Sequence, residues 1–143
     1  MATTTATITL GSHDISDSNI SITNLNYLNT AGTDTGISKT TGLTRVTTSA
    51  TANVVLLDSS ATGGLQVAAN ATDIDKGKVF IQNLNERGDG SKYVTVLLTA
   101  VEIGRLYGGD WMFIPWDGGD GNDVEITPSS TTDTTLEYIL FYQ

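Results

Sequence analysis

One acidic, glycine-rich stretch has the residue types that bind a hard metal ion. It covers residues 117–125 and reads DGGDGNDVE. A Ca²⁺ site needs several oxygen ligands on a loop that can wrap around the ion, but the spacing is not that of an EF-hand. A solvated acidic hairpin loop explains the same residues. We therefore expect no metal and no other cofactor; the residues that would ligate an ion, if one bound, are Asp117, Asp120, Asn122 and Asp123.

The residue types that nucleophilic catalysis requires are largely missing. The chain has one histidine, His13, no cysteine and no Gly-x-Ser-x-Gly motif, so no catalytic triad is expected. Paired carboxylates for glycoside hydrolysis meet in space rather than in sequence, so 16 acidic residues are no signal by themselves. We predict that the protein is not an enzyme and has no small-molecule substrate.

Aromatic residues near position 110 could instead form a platform for sugar rings. In the predicted strand 111–116, period-two alternation puts Trp111 and Phe113 on one face, where large aromatic side chains fill a sandwich core. Trp116 stands at the end of the strand. We predict that it is exposed and available to a partner.

The charge balance restricts the partners of the chain. It has 16 acidic and 7 basic residues, a net charge of -9. Such a surface repels the phosphates of nucleic acids and anionic lipids. The N-terminus lacks the basic and apolar regions of a secretory signal, and no apolar run reaches the roughly 18 residues of a membrane span. We expect neither a nucleic-acid nor a membrane partner.

Short alternating segments predict an all-β fold for the elements that position these residues. Thr, Val, Ile and aromatic residues favour strands, while Gly, Asn and Asp favour turns. Strands with turn signals at this spacing are typical of antiparallel sandwiches. We predict that residues 1–143 form a single antiparallel β-sandwich domain of jelly-roll topology, with an extended N-terminal region.

The sequence makes more specific predictions for several segments. Residues 1–10 are predicted to be an arm or edge strand, and residues 29–43 a long loop that contacts a neighbour. The apolar run 53–58 predicts a strand buried on both faces, and residues 85–91 a hairpin loop. The segment 134–142 is apolar on both faces, so it is either central in a sheet or covered by another subunit. The interface candidates are Ile8, Leu10, Ile37, Trp116 and Tyr142.

Residues 77–143 also contain a series of patterns typical of one kind of virus protein. The patterns are VFIQNLN, YVTV, LYGGDWMFIPWDG, DVEITPS and LEYILF. Together they resemble the head-decoration, or cement, proteins of tailed phages. The resemblance implies a β-sandwich that oligomerises, commonly as a trimer, and clamps the junctions between major capsid protein subunits. It implies no catalytic residue.

We therefore expect a non-enzymatic virion structural protein. The resemblance places it on the capsid exterior, after assembly in the host cytoplasm, with the major capsid protein and further copies of itself as partners. The alternative is a tail-fibre, receptor-binding or carbohydrate-binding β-sandwich module that uses exposed aromatic residues.

Overall fold

A computed structural model describes residues 4–12, 20–28, 39–49, 52–58, 77–88, 90–118, 121–129, 131 and 133–142, with only the backbone described up to residue 39. The chain divides into two compact units, Met1–Ser38 and Lys39–Gln143. Within the described ranges every regular element is a strand. Accordingly, no helix long and apolar enough to span a membrane occurs in this part of the chain.

The first unit contains one antiparallel ribbon of two strands. They are β1 (Thr4–Ser12) and β2 (Ile20–Leu28). Their register is continuous from the Thr4–Leu28 pair to the Ser12–Ile20 pair. The predicted N-terminal arm or edge strand is thus one half of a two-stranded ribbon.

The second unit contains two antiparallel sheets. Its strands are β3 (Lys39–Thr40), β4 (Thr44–Thr48), β5 (Val54–Leu57), β6 (Gly77–Asn83), β7 (Val94–Leu98), β8 (Val101–Leu106), β9 (Trp111–Trp116), β10 (Val124–Pro128) and β11 (Thr134–Tyr142). The four-stranded sheet has the order β5-β10-β7-β8. The five-stranded sheet has the order β3-β11-β6-β9, and β4 also pairs with β11.

The pairing of the strands is nested, as in a jelly roll. β4 pairs with β11, β5 with β10, β6 with β9 and β7 with β8, all antiparallel. The described strands of the second unit therefore pair as one long antiparallel ribbon that is rolled into two sheets. The predicted all-β sandwich of jelly-roll topology is confirmed.

The core lies between the two sheets and follows the period of the strands. In β6 and β11 every second residue is buried, because successive side chains point to opposite faces. The buried apolar residues are Leu56, Leu57, Val79, Ile81, Val94, Val96, Leu106, Trp116, Val124, Ile126, Leu136, Tyr138 and Leu140.

Three predictions about individual segments need correction. The strand Val54–Leu57 is at the edge of its sheet and leaves Val55 exposed, so it is not buried on both faces. Residues 85–91 do not form a hairpin loop, because β6 and β7 belong to different sheets. Lys39 and Thr40, within the predicted loop 29–43, pair with the end of β11. Of the two alternatives predicted for segment 134–142, the structure shows the central position, since β11 pairs on both sides.

Candidate functional site

The acidic loop that follows β9 is held by hydrogen bonds of its backbone. The indole nitrogen of Trp116 donates to the carbonyl of Asn122 at 2.6 Å, and the amide of Thr99 donates to the carbonyl of Asp123 at 3.0 Å. Asp117 and Asn122 are exposed, Asp123 is half-buried, and Asp120 lies outside the described residues. Among the residues described, no group of three or more His, Cys, Asp or Glu side chains is placed to hold a metal ion.

The two tryptophans occupy the reverse of their predicted positions. Trp116 is 3% exposed and belongs to the core, whereas Trp111 is 47% exposed. The reason is the register with β6, which pairs Ile114 with buried Val79 and Trp116 with Gly77. Residues paired across strands share a face, so Trp116 points inward. The prediction that Trp116 is an exposed contact is wrong.

Gly77 makes the space that the indole of Trp116 occupies. A Cβ atom at position 77 would lie 2.8 Å from the Trp116 carbonyl oxygen and 3.3 Å from its ring. The prediction that Trp111 and Phe113 fill the core is also wrong.

The sequence WMFIPW is apolar at both odd and even positions. Pairing with β6 therefore decides which of these positions face the core.

The opposite face of the five-stranded sheet carries a cluster of large apolar side chains. Pairing places Ile139, Phe80 and Phe113 in one row across β11, β6 and β9. The rings of Phe80 and Trp111 lie 6.2 Å apart, and those of Phe113 and Phe141 meet edge to face at 6.4 Å. We call this cluster the aromatic face; it consists of Phe80, Trp111, Phe113, Ile139 and Phe141.

Polar residues border the aromatic face on the neighbouring rows. Arg45 on β4 donates to the carboxylate of Glu137 on β11, directly opposite in register. The next positions along that row are Gln82 and Trp111. Lys78 lies in the row on the other side of Phe80, opposite Phe141. Two positive groups and one negative group thus border the aromatic face of a chain with a net charge of -9.

The titratable groups with altered pKa values have structural causes. Burial raises the pKa of the Tyr138 hydroxyl, and a hydrogen bond with Thr44 partly opposes this shift. The nearby Glu102 carboxylate raises the pKa of Arg105. A general acid or base works best with a pKa near the working pH, and neither shift brings the pKa of its group closer to neutral pH.

The remaining interface candidates, Ile8, Leu10, Ile37 and Tyr142, lie in different parts of the chain. Tyr142 is half-buried and packs against the core. Ile8 and Leu10 lie on β1, at register positions opposite Asn24 and Ile22. Ile37 lies outside the described residues.

Sequence reasoning did not identify most of the aromatic face. Phe80, Ile139 and Phe141 lie at alternate positions of strands whose other positions are also apolar. The available signal was the presence of apolar residues at both phases of the strand at 134–142, which indicated a second covered face. Which strands lie beside it depends on long-range pairing.

Comparison with known proteins finds a structural likeness but no family. No protein-family model and no curated protein matches it. Among solved structures it is similar to the cupin domain of Schizosaccharomyces pombe Cnp3, with 10% sequence identity over 96% of this chain and 84% of that one and a TM-score of 0.42. A likeness of this degree carries no argument about function, and the jelly-roll assignment follows from the strand order of the chain itself.

Proposed function

We propose that the protein is a non-enzymatic structural protein that binds another protein surface through its aromatic face. The observation that carries the proposal is the row of large apolar side chains on the outer side of the five-stranded sheet. Trp111 is exposed and the other four members are half-buried, so the cluster is partly open to solvent. Contiguous exposed apolar side chains mark interaction sites. Aromatic residues are also enriched at the centre of protein interfaces.

The specific form of this proposal is capsid decoration, with the major capsid protein as the partner. Its support is the resemblance of residues 77–143 to phage cement proteins, together with a jelly-roll fold that recurs in viral capsid proteins. In this function, the protein lies on the exterior of the virion, as a homo-oligomer, after assembly in the host cytoplasm. Because it binds only the assembled shell, it stabilises the shell by linkage.

The charged residues that border the aromatic face, Arg45, Lys78 and Glu137, form its rim and suit such a partner. A chain of net charge -9 repels other acidic surfaces over most of its area. Arg45 and Lys78 against Glu137 leave an excess of one positive charge beside the aromatic face, which reduces the repulsion of an acidic partner there. The apolar centre supplies affinity, and the charged rim orients the approach.

The test is co-sedimentation of the protein with purified shells from which decoration has been removed. Trp111→Asp puts a charge in the aromatic face, and an interface hot spot of about 2–4 kcal/mol predicts a loss of affinity of about 30- to 1,000-fold. The matched control is Val101→Asp, which changes an exposed apolar residue of the other sheet, 65% exposed against 47% for Trp111. Equal affinity of the two variants would contradict a role of the aromatic face.

A carbohydrate-binding or receptor-binding module is the second candidate. Trp111 is exposed, and the polar side chains of Gln82, Glu137 and Arg45 continue its row, which is an arrangement that suits a sugar ring stacked on the indole. Reproducible binding on a glycan array that is lost in Trp111→Ala would favour this candidate. Trp116 is excluded as the platform by its burial.

A further inference from the structure

The β1–β2 ribbon has one predominantly apolar face. In an antiparallel pair, residues directly opposite each other share a face and alternate along each strand. The register therefore separates the ribbon into two sets of residues. The first set contains the apolar residues Ala6, Ile8, Leu10, Ile20, Ile22 and Leu28, together with Thr4, Ser12, Asn24 and Asn26. The second set consists of Thr5, Thr7, Thr9, Gly11, Ser21, Thr23, Leu25 and Tyr27, of which only Leu25 and Tyr27 are large and apolar.

A ribbon of this kind needs a second layer. A hairpin of two strands is at best marginally stable in water, because it cannot bury its apolar face by itself. Both strands have nine residues, and within the described part of the first unit they are the only strands. The layer that covers the apolar face is therefore to be found outside the ribbon.

Charge favours a second copy of the chain as the source of that layer. Residues 4–12 and 20–28 contain no Asp, Glu, Lys, Arg or His, although the whole chain has a net charge of -9. Two copies of such an acidic protein repel each other over most of their surfaces. The ribbon is a long segment on which two copies can meet without bringing like charges together.

We propose that the ribbon is a self-association element that packs its apolar face against the same face of another copy. Isologous packing brings identical, uncharged surfaces together, as in a two-layer β-sandwich with sheets about 10 Å apart. Such a contact joins the ribbons of two copies about a twofold axis. The inference does not depend on capsid binding, because it uses a different unit of the chain from the aromatic face.

The size of the ribbon predicts weak association in solution. Nine residues in each of two strands give a face about 30 Å long and about 10 Å wide, or about 300 Å² per copy. Two such faces bury less than the roughly 1,200 Å² of a stable interface, so free chains should associate at about 10 µM or above. Copies held side by side on an assembly would associate more strongly, because their effective concentration is in the millimolar range.

Sedimentation of the full chain over a wide concentration range tests the proposal. The wild type is expected to shift from monomer to oligomer between about 1 µM and 1 mM. Leu10→Asp puts a charge on the apolar face and should abolish the shift. Thr9→Asp, its neighbour on the other face, adds the same charge and should preserve it. A wild type that stays monomeric at all concentrations, or equal effects of the two variants, would overturn the proposal.

A crosslinking experiment keeps the test decisive if Leu10→Asp disturbs the ribbon itself. The chain has no cysteine, so a single introduced thiol reports one position. Ala6→Cys lies on the apolar face and Thr7→Cys on the other. A short bismaleimide, suited to layers about 10 Å apart, should join copies of Ala6→Cys much faster than copies of Thr7→Cys. Equal rates would overturn the proposal.

Capsid binding and self-association are separable in these variants. Trp111→Asp should lose shell binding and retain the sedimentation shift. Leu10→Asp should lose the shift, and its binding to shells should weaken through loss of avidity alone. Failure of the proposed function would therefore appear as unchanged shell binding in Trp111→Asp, with self-association through the ribbon intact.

Discussion

The two sheets of the jelly roll have similar inner faces and different outer faces. On the inner side, Val79 and Ile81 of one sheet face Val94 and Val96 of the other, and all four side chains are fully buried. On the outer side, the five-stranded sheet has the aromatic face. The four-stranded sheet exposes three separate aliphatic residues, Val55, Val101 and Ile103, beside a group of interacting polar residues. We call these polar residues the polar face: Asn53, Glu102, Arg105, Glu125 and Thr127.

The residues of the polar face interact with one another by hydrogen bonds. The Asn53 amide donates to the carboxylate of Glu125 at 3.3 Å, and Thr127 donates to the Asn53 side-chain oxygen at 2.6 Å. Arg105 donates to Glu102 at 3.2 Å. These groups need no further partner, as is usual for the solvent side of an antiparallel sheet.

The edge of the four-stranded sheet is also protected against pairing. Val96 is opposite Gly104, and Leu97 is opposite Glu102, so Ile103 is an extra residue in edge strand β8. A bulge of this kind, with charged neighbours, discourages the addition of another strand.

The fold requires an apolar inner face on both sheets, but it does not require an apolar outer face. The fold therefore does not account for the aromatic residues on one outer face, and this is why we propose a partner for them.

The largest effect is expected from the two tryptophans, which test the assignment of inner and outer faces in one strand. Trp116→Ala should lower the free energy of unfolding by about 3–5 kcal/mol, because it empties part of the core. Trp111→Ala should lower it by less than about 1 kcal/mol, since its side chain is about half exposed and lies outside the core. Urea denaturation of both variants measures the difference. A larger loss in Trp111→Ala would reverse the two faces of β9 and with them the aromatic face.

The limits of sequence reasoning are visible in the same strand. Alternation predicted most strands and the jelly-roll class, because strands such as β10 are apolar on one side only. In β9 both phases are apolar, so local periodicity could not place Trp116 inside. The link 84–93 has the same glycines and polar residues as a hairpin loop would have. Its passage from one sheet to the other depends on pairings between residues distant in sequence.

A buried asparagine shows a second kind of limit and gives the next prediction. Asn83, on β6, donates to the carbonyls of Lys92 and Leu106 at 3.1 and 2.9 Å and accepts from the backbone of Asn85 at 3.0 Å. Lys92 lies just before β7, and Leu106 lies in β8. The Asn83 side chain therefore connects the five-stranded sheet to the four-stranded sheet. Nothing in the sequence distinguishes Asn83 from the neighbouring turn asparagines, because its role requires three distant backbone segments to meet.

Replacing Asn83 should therefore weaken the connection between the two sheets. Asn83→Ala leaves buried carbonyl groups without a partner, and we expect a loss of about 2–4 kcal/mol in the free energy of unfolding. Asn53→Ala, on the exposed polar face, should cost less than about 1 kcal/mol. Denaturation of both variants by guanidinium provides the comparison. Equal losses would show that water replaces the partners of Asn83 and that the sheets are held by apolar packing alone.

The smallest effect, and the finest test of how the outer faces differ, comes from their two ion pairs. Arg45 and Glu137 border the aromatic face, and the Glu137 side chain is only 15% exposed. Arg105 and Glu102 on the polar face are both about half exposed, at 47% and 52%. Exposed pairs contribute little because water and salt screen them, whereas partial burial of one carboxylate preserves more of the attraction.

Double-mutant cycles with alanine should therefore detect a coupling of about 0.5–1 kcal/mol between Arg45 and Glu137 at low salt, weakened by 1 M NaCl. The same cycle for Arg105 and Glu102 should detect no measurable coupling. Equal couplings would mean that the aromatic side chains do not shield the groups on their rim from water. The aromatic face would then be too open to orient a partner by its charges, and its contribution to binding would be apolar contact alone.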